Sequence, residues 1–110
     1  MDYNISFFSK WKRHCISEEV GEFFLQESVK ILEGYHGKIL SSAYGSNYLH
    51  LVISVPDDID INKMTSGLTD QLETKLRRDP KLGNRNYYFG EPFSWGECHV
   101  TAIPVSKPEK

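Results

Sequence analysis

The chain of 110 residues contains no run of about 18 apolar residues, the length that a membrane-spanning helix needs. It also shows no basic leader followed by an apolar segment, so the sequence predicts no membrane span, no export, and a cytoplasmic location. Cysteine is scarce: Cys15 and Cys98 stand alone, without C-x-x-C spacing, which excludes a disulfide framework and predicts two free thiols. Positive charge is not in excess. With 13 basic and 15 acidic residues the net charge is −2, which argues against a strongly basic, non-specific nucleic-acid binder and leaves room only for a local patch. No internal repeat or low-complexity segment is present. A 39% apolar content at this length supports one core and not two, predicting a single domain over residues 1–105 with a polar, frayed tail, SKPEK, over 106–110.

What is present is an ordered alternation of short patterns. Tyr3 to Lys10 alternates with period two and is rich in aromatics, which predicts a first strand. Ser17 followed by Glu18 and Glu19 supplies a cap and first-turn acids for a helix, with Val20, Phe23, Phe24, Leu25, Ile31 and Leu32 on its apolar side. Gly34 falls where a left-handed terminating residue is expected. Lys38 to Tyr44 predicts a second strand, joined by Gly45-Ser46-Asn47 turn chemistry to NYLHLVISVP, residues 47–56. In that third strand Leu49, Leu51, Ile53 and Val55 share one face and Tyr48, His50, Val52 and Ser54 the other. Asp60 can cap a second helix with Ile61, Met64, Leu68, Leu72 and Leu76 on one face, ending before Pro80. Residues 81–95 read as a Gly- and aromatic-rich loop, and Cys98 to Val105 as a last strand.

The order strand, helix, strand, strand, helix, strand predicts an α+β domain of ferredoxin-like βαββαβ type, a four-stranded antiparallel sheet with two helices on one face. The other face is then open. It should carry Asn4, Ser6, Phe8 and Lys10 from the first strand, Tyr48 and His50 from the third, and His99 and Thr101 from the fourth. Such a face is equally suited to cover by a second subunit. His50 and His99 are expected on strands flanking the first, about 10 Å apart at twice the inter-strand spacing, too far to make a metal site by themselves. His14 and His36 lie near element ends and receive no role.

Across residues 3–104 the segments taken together resemble the single-tyrosine transposases of small insertion sequences, members of the HUH nuclease superfamily. Ser9-Lys10-Trp11-Lys12-Arg13 is similar to the family's threonine-lysine-aromatic-basic-arginine signature. NYLHLVISVP resembles its Asp-His-hydrophobe-His segment, Ile61 to Leu68 falls where its second helix begins, and Trp95 with CHVTAIP resembles its tryptophan and final strand. In that family two histidines on one strand face hold magnesium or manganese on the scissile phosphate of single-stranded DNA, and a tyrosine on a later helix attacks it. Here the second histidine is matched by His50, but the first position is Tyr48, and a neutral phenol is a poor ligand for such an ion. No tyrosine-bearing helix follows the last strand before Lys110, and Tyr87 and Tyr88 precede that strand. Losing a nucleophile costs on the order of 10⁴ to 10⁶ in rate, so the resemblance implies a degenerate or truncated member without strand cleavage.

The resemblance thus implies a transposase-like binder of single-stranded or hairpin DNA, with RNA not excluded, acting as a homodimer and needing no cofactor. Lys10, Lys12, Arg13, Lys63, Arg77 and Arg78 are its candidate phosphate contacts. Tyr48 and His50, with Tyr87 and Tyr88 of the loop, are candidates for stacking on unpaired bases. Tyr88, Phe89, Phe93 and Trp95 can alternatively close one end of the core. Two other functions remain open at this point: an active nuclease in which His50 holds Mg or Mn with other ligands and Tyr48 serves as nucleophile, and a protein-interaction module on the same fold.

Overall fold

A computed structural model describes residues 1–83 and 93–103. The first strand, β1, runs Asp2–Ser9 and passes into a 3₁₀ turn, Lys10–Lys12. Helix α1, Glu18–Gly34, begins as its sequence requires: the Ser17 hydroxyl accepts a hydrogen bond from Val20 N at 3.3 Å, and Glu18 and Glu19 occupy the positive end of the dipole. Its end differs from expectation. Gly34 is the last helical residue, and the left-handed residue is His36, with φ 60°. There Tyr35 N and Gly37 N both donate to Leu32 O, and His36 N to Glu33 O. The free carbonyls of the last turn dictate which residue must reverse the chain, and two further residues are wound before that reversal.

Strands β2, Lys38–Gly45, and β3, Tyr48–Ser54, form a hairpin across Ser46-Asn47. Helix α2, Ile61–Arg78, is capped by Asp60 Oδ1, which accepts from Asn62 N and Lys63 N at 3.2 Å each. It ends where Asp79 turns extended ahead of Pro80, as the proline ring demands of its predecessor. Strand β4 runs Trp95–Ile103, beginning at Trp95 and not at the predicted Cys98. The earlier start follows from Trp95 pairing with Ser9, while its backbone N donates to Glu73 Oε2 at 2.9 Å. The predicted roles of Tyr87, Tyr88 and Phe89, of Val105 in the last strand, and of the 106–110 tail fall outside the described residues.

The sheet order is β2-β3-β1-β4, all antiparallel, as the ferredoxin-like reading predicts. Ile5 and Phe7 of β1 and Leu49, Leu51 and Ile53 of β3 are fully buried with Phe24 and Leu32 of α1 and Leu68 and Leu72 of α2. At about 1.5–3 kcal/mol for each large apolar side chain removed from water, this one cluster is what holds the layers together. Phe24, Phe93 and Trp95 close one end of it: their ring centroids are 4.8 to 5.2 Å apart, so Phe93 and Trp95 belong to the core. Helix α1 approaches β2 through Gly21, where a Cβ would stand 2.3 Å from the Tyr44 ring. Among the described residues, no helix is long and apolar enough to cross a membrane.

Candidate nucleic-acid interface

Because directly paired residues of an antiparallel sheet point to the same side, the register maps the open face in rows. Tyr48 lies opposite Phe8; His50, Ser6 and His99 form the next row, with Ala43 beyond His50; Val52, Asn4 and Thr101 form the one after. The predicted placement of His50, His99 and Thr101 is therefore observed, with the two histidines flanking Ser6. His50 is half-buried, and its Nδ1 lies 3.1 Å from Ser6 Oγ. Tyr48 is exposed at 36% and its ring lies against Gly45, where a Cβ would meet Cε2 at 2.3 Å. His99 meets the Phe8 ring edge-on, centroids 5.8 Å apart.

Lys10 departs from its predicted place. The strand ends at Ser9, so Lys10 stands in the 3₁₀ turn and not on the sheet face. That turn is unusual: Trp11 and Lys12 both adopt left-handed backbone, φ 56° and 54°, which costs an L-residue about 1–2 kcal/mol each. The surroundings hold it there. Ser9 Oγ donates to Arg13 O at 2.6 Å, Lys10 N donates to Ser94 O at 3.0 Å, and Asn47 Nδ2 donates to Lys12 O at 3.3 Å.

The consequence is a basic and aromatic cluster at one end of the open face. The Trp11 ring is 69% exposed, yet it carries Lys10 Nζ at 4.6 Å and the Arg13 guanidinium at 4.2 Å from its centroid. Lys12 Nζ stands 5.0 Å above the Phe8 ring and 3.4 Å from Glu97 Oε1. Glu97 reaches this face through a bulge: Phe7 pairs with Cys98 and Ser9 with Trp95, so Gly96 and Glu97 together oppose Phe8. Cys15, next to the turn's exit, is a free thiol pushed above its usual range, chiefly by burial, against the lowering effect of its Ser9 hydrogen bond and the Arg13 charge.

The structure thus brings Lys10, Lys12 and Arg13 together around Trp11 and Phe8, and Phe8 pairs with Tyr48. Lys63, Arg77 and Arg78 belong to α2, in the layer on the other side of the sheet. Arg77 is paired with Glu73 at 3.4 Å, and Arg78 lines a shallow cleft of α2 with Asp70 and Lys75. The sequence alone does not single out Trp11 and Glu97 as contact residues. Lys-Trp-Lys-Arg was a visible signal for the first; the bulge that aims the second is not legible in sequence.

The donor set around His50 does not suit a divalent ion. Ser6 bonds Nδ1, which leaves Nε2 as the ring's donor to an ion, and the neighbouring positions add only a phenol and a hydroxyl where magnesium or manganese favours carboxylate and carbonyl oxygens. Among the described residues no three His, Cys, Asp or Glu side chains converge.

No family model matches the chain, and no curated protein matches it. Among solved structures, that of a "putative transposase" from Deinococcus radiodurans R1 is similar over 96% of this chain and 80% of its own, with a TM-score of 0.80 and 12% sequence identity. At that identity the similarity is one of fold: the ferredoxin-like arrangement found here is also that protein's.

Proposed function

We propose that this chain is a transposase-like binder of single-stranded or hairpin DNA that does not cut the strand it holds. The observation that carries the reading is the exposed Trp11 ring with the Lys10 and Arg13 cations on it, placed at the end of an open sheet face that also presents Phe8, Tyr48 and His50. Cations neutralise phosphate and exposed rings stack on unpaired bases, so the two residue types in one cluster match a single strand better than a duplex. The fold shared with the Deinococcus protein is a second, weaker support. A local cluster also reconciles this reading with a net charge of −2.

The inactive part of the reading rests on the pair Tyr48 and His50: a neutral phenol stands where the family resemblance places the first metal-ligating histidine, which leaves one imidazole in place of two. A metal-activated cleavage needs an ion fixed on the phosphate, and this pair of positions lacks the ligands for it. The homodimer that the family resemblance implies is part of the proposal as well. β2 and β4 are the sheet edges through which two copies can join, and light scattering measures the mass directly.

The experiment is fluorescence anisotropy of labelled single-stranded and hairpin oligonucleotides, with manganese present, followed by a denaturing gel. Saturable, salt-sensitive binding without a covalent protein–DNA adduct is expected. An adduct lost in Tyr48→Phe would instead assign nuclease chemistry, and no binding at low salt would overturn the reading.

A further inference from the structure

Between the 3₁₀ turn and the β4 bulge lies a cavity of about 620 Å³, lined by Ser9, Lys10, Trp11, Lys12, Gly96 and Glu97. Resting on the reading above, we infer that this cavity takes an unpaired guanine base, stacked on Trp11 and read by Glu97. Its size is within the ordinary range of a small-molecule site. Its floor is backbone: a Cβ on Gly96 would stand 3.0 Å from Lys10 Cα and 3.1 Å from Ser9 O, so the bulge brings strand and turn together without a side chain between them.

The two walls differ in chemistry. Trp11 offers a ring face to a base, and the Lys10 ammonium, on its flexible stem, can leave that ring for the adjoining phosphate. Glu97 sits in a cluster that is otherwise cationic, where a carboxylate opposes phosphate binding; its presence is explained if it faces the base and not the backbone. A carboxylate only accepts hydrogen bonds. Guanine is the one DNA base with two adjacent N–H donors, N1–H and N2–H, on its Watson–Crick edge. Adenine and cytosine set an acceptor beside their single amino group, and thymine sets its N–H between two carbonyls.

Lys12 Nζ at 3.4 Å from Oε1 orients the carboxylate, while both side chains are more than half exposed, so this ion pair gives way readily. His99 Nε2 is 4.0 Å from Oε2, beyond hydrogen-bond range, which leaves that oxygen open to a donor. Left-handed backbone at two successive non-glycine residues, Trp11 and Lys12, is the kind of strain that persists at ligand clamps.

The test is anisotropy with oligothymidylate and with the same strand carrying one central dG, dA or dC. The wild-type protein should prefer the dG strand by about tenfold, the effect of one bidentate base contact. Glu97→Gln should abolish that preference while keeping or raising affinity for oligothymidylate, and Trp11→Ala should weaken every strand. Both side chains are exposed, and circular dichroism verifies that the variants fold. Equal affinity for all four strands, a preference for another base, or a dG preference that survives in Glu97→Gln overturns the guanine pocket and leaves single-strand binding standing. Failure of the wild-type protein to bind any of the strands overturns both.

Discussion

Arg13 is stacked on Trp11, its guanidinium carbon 4.2 Å from the ring centroid, in a 69% exposed position where core packing gives no reason to keep an indole. Trp95, the other tryptophan, packs between Phe7, Phe24 and Phe93. Stacking on an unpaired base should therefore quench one tryptophan and spare the other. A titration with single-stranded DNA is expected to lower the emission of the wild-type protein, and Trp11→Phe to remove most of that change. A quench undiminished in Trp11→Phe would place the contact elsewhere.

The end of α1 offers a test of the local backbone. Gly34 is helical and a Cβ on it would meet nothing within 4 Å, whereas His36 is left-handed. Gly34→Ala is expected to stabilise the fold by about 0.5–1 kcal/mol, through helix propensity and a less free unfolded chain. His36→Gly should stabilise it by a similar amount, about 1 kcal/mol, by removing the Cβ clash of a left-handed residue. Urea unfolding midpoints measure both. Destabilisation by either change would mean that α1 ends differently.

Phe24 is fully buried at the aromatic end of the core, 5.0 Å from Trp95 and 5.2 Å from Phe93 between centroids. Phe24→Ala should cost about 3–5 kcal/mol, because it removes a large apolar side chain and leaves a cavity that three elements must close. Chemical denaturation, followed by Trp95 emission in a Trp11→Phe background, reports this.

The thiols give a pH dependence. Partial desolvation raises Cys98 above its usual range although its side chain reaches the surface, and burial outweighs Ser9 and Arg13 at Cys15. In each case the folded chain holds the thiol proton more tightly than the unfolded chain does. The stabilisation is therefore complete below the ordinary thiol pKa of 9.0 and is lost as pH rises from there through the raised folded value. Alkylation by iodoacetamide at neutral pH should be slower than for an unstructured thiol, with exposed Cys98 ahead of half-buried Cys15. The double Cys→Ser variant should lose less stability above pH 9 than the wild-type protein does.

Much of the fold was legible in the sequence because its signals are local. Alternation in Tyr48 to Val55 marks the buried face of β3, and Ser17 and Asp60 mark the two helix starts through caps that the structure forms. The site was less legible because its devices are not local. Lys10 reads as the next residue of a strand, since nothing in the neighbouring residues announces that Ser94 and Asn47 hold Ser9 to Lys12 in a turn. Glu97 falls between the predicted loop, 81–95, and the predicted strand from Cys98, and only the Phe7–Cys98 and Ser9–Trp95 pairs reveal the bulge that aims it at the open face. The left-handed position of His36 is not legible in sequence because Gly34, two residues earlier, is the stronger local signal.

The central claim is that the turn at the end of β1, and not helix α2, contacts the nucleic-acid backbone. It is tested most directly by the salt dependence of single-strand affinity in two triple variants. With about 0.7 in log–log slope per phosphate neutralised, Lys10→Ala/Lys12→Ala/Arg13→Ala should reduce the slope by about 2, and Lys63→Ala/Arg77→Ala/Arg78→Ala should leave it unchanged. A slope lost with the α2 variant and kept with the turn variant would contradict the account.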